Sequence, residues 1–439
     1  MFQQMGKRIG VEATRRKANG FNEGPSQGNA AGSVNRESQA ANRQRIQLHF
    51  DVILLLSVIT LMVFGIVMVY SASYDFSNIW YGSQMSMFYR QMIWLVIGIA
   101  AAVFLTIYDY HLLKRYVVPM MIVTIVLLVL VLIVNEVLLG AARTLLQGSI
   151  QPSELAKLMV IIYLSVWLSA KREVLSSISF GLFPLAIILG VLGGLIMLQP
   201  DISAVATIFM LGGLMFFLAG GDLKQILLLM IVAVLIGWII VQFNPTGSDR
   251  IEKYLLGLKD PTQGSYHVQR SLEAIIRGGW FGVGIGKSET KLNGLPVPPT
   301  DSIFAVVGEE TGVLGASLLV ILFSILLWRG LRISQQAPDE LGAMLAGGLC
   351  IWIALEAFIN MAVMVNLLPF AGNALPFISA GGSNLGVTLA AVGILLNISR
   401  LSVQKREEQG RQFNALVDLR WRDRRRRVSS TRRTARNEK

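Results

Sequence analysis

The sequence predicts an all-α polytopic membrane protein with about ten transmembrane helices, and three observations predict it. The chain is 53% hydrophobic and 15% charged, with a mean hydropathy of +0.57, whereas soluble domains carry about 25% charge. Ten stretches approach the roughly 20 apolar residues that a bilayer crossing needs. The charge is also segregated. Residues 1–49 hold 8 Lys/Arg against 3 Asp/Glu, residues 400–439 hold 14 against 5, and the chain between them is slightly acidic within a net +12. The basicity therefore belongs to two tails, which excludes a nucleic-acid-binding body.

In chain order the expected spans are 51–70, 91–108, 116–134, 153–170, 179–198, 201–219, 223–242, 302–328, 341–364 and 384–401. Only Gln199-Pro200-Asp201 separates the fifth from the sixth. Pro200 cannot continue the hydrogen-bond ladder, so a tight reversal is expected there. Residues 1–49 are polar, rich in Gln, Asn, Gly and Ser, and read as a disordered basic tail without a cleavable signal peptide. Residues 50–402 read as the membrane domain and 403–439 as a second basic tail. Cys350 is the single cysteine and lies in an apolar run, as a small core residue would.

Basic residues fix the expected orientation. His111, Lys114 and Arg115 follow span two, Lys171 and Arg172 span four, Lys224 span six, and Arg329 and Arg332 span eight. Segment 71–88 carries Asp75 and no Lys or Arg. The positive-inside rule then places both tails in the cytoplasm. Segments 135–152, 199–201, 243–300 and 365–383, with the start of span eight, fall on the opposite, extracytoplasmic side. The 243–300 loop is far longer than a simple connection, and long loops tend to be functional. Within it Val268, Leu272, Ile275 and Ile276 recur at helical spacing, which predicts a short amphipathic helix.

Four clusters on that side could carry chemistry. The first joins Arg143 to Gln151-Pro152-Ser153-Glu154 and Lys157. Pro152 and Ser153 suit a helix start, and Glu154 and Lys157 share a helix face. This is either a capped helix end with an internal ion pair or part of a substrate site. The second is Gln199-Pro200-Asp201, where Asp201 either caps span six or serves the site. The third is the glycine-rich Gly278–Ser288 with Lys291 beyond it. No Rossmann unit surrounds its GxGxG, so the glycines read as permitting close backbone approach. The fourth runs from Leu367 to Ser383 and includes Ser379, Gly381 and Gly382. It reads as a re-entrant segment, which is tolerated at membrane depth only inside protein or beside a cavity.

Asp301 is the sharpest candidate. Pro296, Pro298 and Pro299 stiffen its approach, and Glu309 and Glu310 follow within the next ten residues. Buried charge in a membrane costs several kcal/mol. Either Thr300 or Asp301 merely caps span eight, or Asp301 is a general base beside an apolar cavity. One of Glu309 and Glu310 is expected to face a polar interior and the other to pair with a basic residue. Arg143, Lys157 and Lys291 would suit an anionic, phosphate-bearing lipid.

The stretches QPSELAKL at 151–158, LQPD at 198–201, GVGIGKSETKLNGLPVPPTDSIFAVVGEETGVLG at 282–315 and LLPFAGNALPFISAGGSNL at 367–385 occur in this order. Together they resemble the SEDS family of peptidoglycan glycosyltransferases over about residues 50–400. GVGIGKS and the closing LLNISR at 395–400 are closer to its FtsW/SpoVE branch than to RodA. The resemblance implies polymerisation of lipid II in cell division or septal wall synthesis, with Asp301 as general base. Arg143, Lys157 and Lys291 would help the departing diphosphate, and a divalent Mg or Mn ion could share that task. Ser153, Glu154, Thr300, Glu310, Ser379, Gly381, Gly382 and Ser383 would line the substrate site. The implied partners are a class B penicillin-binding protein and other division proteins, with Arg424–Arg427 meeting anionic lipid headgroups. Where the family pattern has His before and Phe after the Thr-Asp pair, this chain has Pro299 and Ser302. A lipid II flippase and a non-catalytic division scaffold are the competing readings.

Overall fold

The computed structural model describes residues 50–134, 150–175, 177–243 and 245–434. The N-terminal tail and Arg143 lie outside the described residues. Helices α1 (Val52–Tyr81), α2 (Ser86–Ile107), α3 (His111–Val134) and α4 (Pro152–Lys171) form the first half of the bundle. A π-helical turn at Ile178–Leu182 leads into α5 (Phe183–Met197), followed by α6 (Ile202–Leu218) and α7 (Leu223–Phe243). Two further helices, α8 (Pro245–Lys259) and α9 (Tyr266–Gly278), precede the long α10 (Ile303–Gln336). The chain closes with α11 (Glu340–Met364) and α12 (Gly382–Thr434). Among the described residues eight helices are long and apolar enough to cross a membrane, and two shorter apolar helices stand at spans six and seven. Apolar helices thus occur at all ten expected positions, in an all-α fold.

The differences lie at the ends. α1 runs eleven residues beyond 70, to the left-handed cap at Gly82 (φ 68°). α12 continues without a break through 402 to Thr434. The fifth and sixth spans do reverse tightly, with α5 ending at Met197 and α6 starting at Ile202.

Hydrogen bonds tie the bundle at one end, and close backbone packing joins a non-helical segment to it at the other. At one end Asp51 caps α1 through Leu54 N–H (2.9 Å), binds Arg329 of α10 (3.0 Å) and donates its own N–H to Ser399 of α12 (3.0 Å). Nearby, Asn397 accepts from Tyr110 N–H (3.0 Å), and the Tyr110 hydroxyl donates to Asp339. At the other end, segment 365–381 dips back against the bundle without helix. It presses against α1 at Gly65, where a β-carbon would lie 2.2 Å from Phe377 O. Only glycine permits that approach.

The expected loop helix α9 is present, with Val268 buried and Leu272 and Ile275 half-buried on its inner side. Val268, Ser271, Ala274 and Gly278 are buried, whereas Ile276 is 77% exposed. The small residues let α9 lie directly on α10: a β-carbon on Gly278 would stand 2.0 Å from Gly308 O. Close backbone approach and apolar burial at Val268 and Ala274 act together on this face.

Candidate active site

Asp301 sits where the irregular lead-in meets α10. The helix N-cap is Ser302 rather than Thr300 or Asp301, and the Ser302 hydroxyl turns back to donate to Pro296 O (2.8 Å). That bond closes a loop of residues 296–302 that contains Asp301. Three successive carbonyls are then held from outside. Pro299 O accepts from Ala380 N–H (2.7 Å), Thr300 O from the Ser379 hydroxyl (2.7 Å), and Asp301 O from the Asn360 amide (2.9 Å). Ser379 Oγ in turn accepts from Leu375 N–H (2.7 Å), and Gln91 of α2 donates to Ser379 O (3.3 Å). Asp301 itself is half-buried.

About three turns deeper α10 breaks. Gly312 has φ 70° and ψ −171°, a conformation essentially restricted to glycine. In an unbroken helix Val313 and Leu314 N–H would bond to Glu309 and Glu310 O. Here Glu309 O and Glu310 O accept from Val283 and Gly284 N–H (both 3.0 Å). Val313 and Leu314 N–H donate instead to Gly279 O (2.9 Å) and Trp280 O (3.3 Å). The glycine-rich loop therefore repairs the helix it interrupts, as buried backbone requires. Gly282 has no room for a side chain, because a β-carbon would lie 2.2 Å from Glu310 O.

The two acids beside the break have separate partners. Glu309 accepts from the Ser288 hydroxyl (2.5 Å), the Thr290 hydroxyl (3.0 Å) and the N–H groups of Glu289 (3.2 Å) and Thr290 (3.3 Å). Glu310 accepts from Ser71 of α1 (2.6 Å) and from Lys291 Nζ (2.8 Å). Lys291 also reaches Ser71 Oγ (2.9 Å) and Gly286 O (3.2 Å), so its ammonium is engaged in bracing the loop against α1.

A second polar network lies between α4, α6, α11 and α12. Lys157 Nζ donates to Glu154 (2.9 Å) and also to Glu356, and Asn384 donates to the other oxygen of Glu154 (2.9 Å). All four side chains are buried. The N-cap of α4 is Gln151, not Ser153, whose hydroxyl donates to Asp201 (3.1 Å). Asp201 does cap α6, through Ala204 N–H (3.3 Å), and takes Gln151 Nε2 as well (3.0 Å). Ser383 ties this network to the re-entrant segment by accepting Gln151 N–H (3.0 Å). Gly381 accepts from Leu385 N–H at the start of α12 (2.9 Å), and Gly382 is the first residue of that helix.

On α11, Glu356 belongs to this network and Asn360 to the Asp301 clamp. They are four residues apart and share one face. In sequence both showed only as polar residues in an apolar span, a standing signal of function in membrane helices. Asn384 carried no comparable signal, and Ser71 carried none at all. Among the described residues no group of three or more His, Cys, Asp and Glu gathers to hold a metal. The described residues therefore form no dedicated Mg or Mn cage.

A family model described as cell cycle protein, FtsW/RodA/SpoVE, matches residues 51–404. The chain belongs to that family. A relative in Trichlorobacter lovleyi, named a probable peptidoglycan glycosyltransferase FtsW, is 39% identical over 80% of this chain and 93% of its own. Stage V sporulation protein E of Bacillus subtilis is 37% identical over 80% of this chain and 97% of its own. The fold is shared with a chain solved in a peptidoglycan synthase complex, with a TM-score of 0.67 at 24% identity over 81% of this chain and 99% of that one. It is shared too with the rod shape determining protein RodA of Thermus thermophilus, with a TM-score of 0.60 at 24% identity over 81% of this chain and 98% of that one. The four polar clusters described above all fall within the family match.

Proposed function

We propose that the chain is a peptidoglycan glycosyltransferase that polymerises lipid II, with Asp301 as general base. The observation that carries this reading is the clamp on Asp301. Backbone held at three successive carbonyls narrows the positions open to the carboxylate, and fixed geometry is what a general base needs, which supports this reading. The family membership supplies the reaction class. The acceptor sugar's 4-hydroxyl gives its proton to the Asp301 carboxylate. Its oxygen forms the new bond to the anomeric carbon of the donor, and the bond to undecaprenyl diphosphate breaks with inversion. The products are a β-1,4 glycan one unit longer and the free lipid diphosphate.

On this reading both tails lie in the cytoplasm and the Asp301 end of the bundle lies outside the bacterial cytoplasmic membrane. The distribution of Lys and Arg among the loops supports it. The natural setting is division or septal wall synthesis beside a class B penicillin-binding protein, with the basic C-terminal tail on anionic lipid. A flippase reading has less support, because the polar groups gather around Asp301 and the ends of α4, α6 and α12. The test is glycan synthesis from lipid II by the full chain in liposomes. Wild type should yield polymer and Asp301→Ala none. Polymer from Asp301→Ala would remove the general-base assignment, and lipid scrambling without polymer from wild type would favour the flippase.

A further inference from the structure

We infer that Asn360 is a positioning residue for Asp301, acting through the backbone on either side of its α-carbon. The inference rests on the reading of Asp301 as base. A peptide unit is planar, so a bond to its carbonyl fixes the whole unit. The unit before the Asp301 α-carbon ends in Thr300 O, held by Ser379 Oγ at 2.7 Å. The unit after it contains Asp301 O, held by Asn360 Nδ2 at 2.9 Å. With both units fixed, the φ and ψ of Asp301 are fixed, and only the two side-chain torsions remain to aim the carboxylate.

Asn360 governs both bonds. Its Nδ2 also donates to Asn373 O at 2.5 Å, which anchors the re-entrant segment that carries Ser379. One amide on α11 thus holds the Asp301 peptide directly and the Thr300 peptide through the 373–380 segment. Both of its protons are used on carbonyls. Its oxygen is buried without a hydrogen-bond partner, and the residue is 0% exposed. An orphaned buried acceptor is destabilising. Leucine keeps the branched shape but removes both donor bonds, so Asn360→Leu tests what distinguishes Asn360 from a packing residue at this position.

The experiment measures initial rates of polymerisation against lipid II concentration for the full chain in liposomes, alongside thermal unfolding. Asn360→Leu should lower kcat by about ten- to a hundredfold, the loss that follows from a misplacement of about 1 Å. KM should stay within about twofold, and the melting temperature should fall modestly, because Asp301 O and Asn373 O lose this donor. Ser379→Ala, which releases one peptide unit, should show the same pattern at smaller size, and Ser379→Thr, which keeps the hydroxyl, should restore kcat. Should Asn360→Leu fail to fold, the Ser379 pair decides the matter alone. A kcat within twofold of wild type for Asn360→Leu overturns the inference. So does a Ser379→Ala loss that Ser379→Thr does not restore, or an Asn360→Leu loss carried in KM rather than in kcat. If Asp301→Ala still polymerises, the base assignment itself fails. If Asp301→Ala is inert while Asn360→Leu matches wild type, only the positioning role fails.

Discussion

Lys291 Nζ lies 2.8 Å from Glu310 Oε1, with the two side chains 5% and 0% exposed. This pair joins the long loop to α10 and, through Ser71, to α1. Removing one member leaves the other charge buried and uncompensated. Lys291→Met or Glu310→Leu alone should therefore destabilise the fold by about 3–5 kcal/mol, while the double substitution should recover much of the loss. Thermal unfolding of the four proteins in detergent checks this, and equal losses for singles and double would contradict it.

Gly312 should resist any side chain. Its backbone conformation costs other residues about 1–3 kcal/mol, and a β-carbon there would lie 2.5 Å from Gly282 N and Trp280 O. Gly312→Ala should free the glycine-rich loop from α10. Faster hydrogen exchange at Val283, Gly284, Val313 and Leu314 would report it, as would new proteolytic cuts in 279–294. Gly286→Ala is the control: it shares a positive φ of 84° but meets nothing within 4 Å. It should perturb exchange much less.

His267 gives the loop a pH dependence. Burial pushes its imidazole down from 6.5 to about 4, with the charge of Arg250 adding to the effect. The ring stacks on Phe370 at 4.1 Å, and its Nδ1 is buried without a hydrogen bond. Between pH 6.5 and 4 the unfolded chain binds the proton that the folded chain refuses, so stability rises with pH across this window. It is full above pH 6.5 and falls by up to roughly 3 kcal/mol as pH drops to 4. Melting curves at pH 7.5, 6 and 4.5 should show the decline. His267→Phe should flatten it, and an unchanged slope in that variant would contradict the assignment.

The membrane spans were legible because hydropathy is a local property: an apolar run of crossing length says the same thing wherever its neighbours lie. The tight turn at Gln199–Asp201 was legible for a similar reason, since Pro200 limits the backbone by itself. The apolar side of α9 was legible at Val268, Leu272 and Ile275, and only Ile276 turns outward. The pattern of apolar residues says nothing of the small ones between them. Ser271, Ala274 and Gly278 are also buried, and at Gly278 two backbones touch. Glu309 and Glu310 were visible as acids with a purpose, and an ion pair for one of them was foreseeable. Their assignment needed the loop to be seen folding back on Gly312.

By itself, then, the sequence determined the ten spans, the family-bearing stretches and the position of Asp301 at the mouth of α10. Tertiary structure alone decided how Asp301 is held. Its clamp consists of bonds to the carbonyls of Pro299, Thr300 and Asp301 from residues about 60 to 80 positions away. Every residue has a carbonyl, so sequence cannot mark which ones are gripped. The same holds for Lys157, where the i+3 spacing disclosed Glu154 but nothing local disclosed Glu356, which is 199 residues distant. Only when α4 and α11 pack side by side do those charges share one buried space.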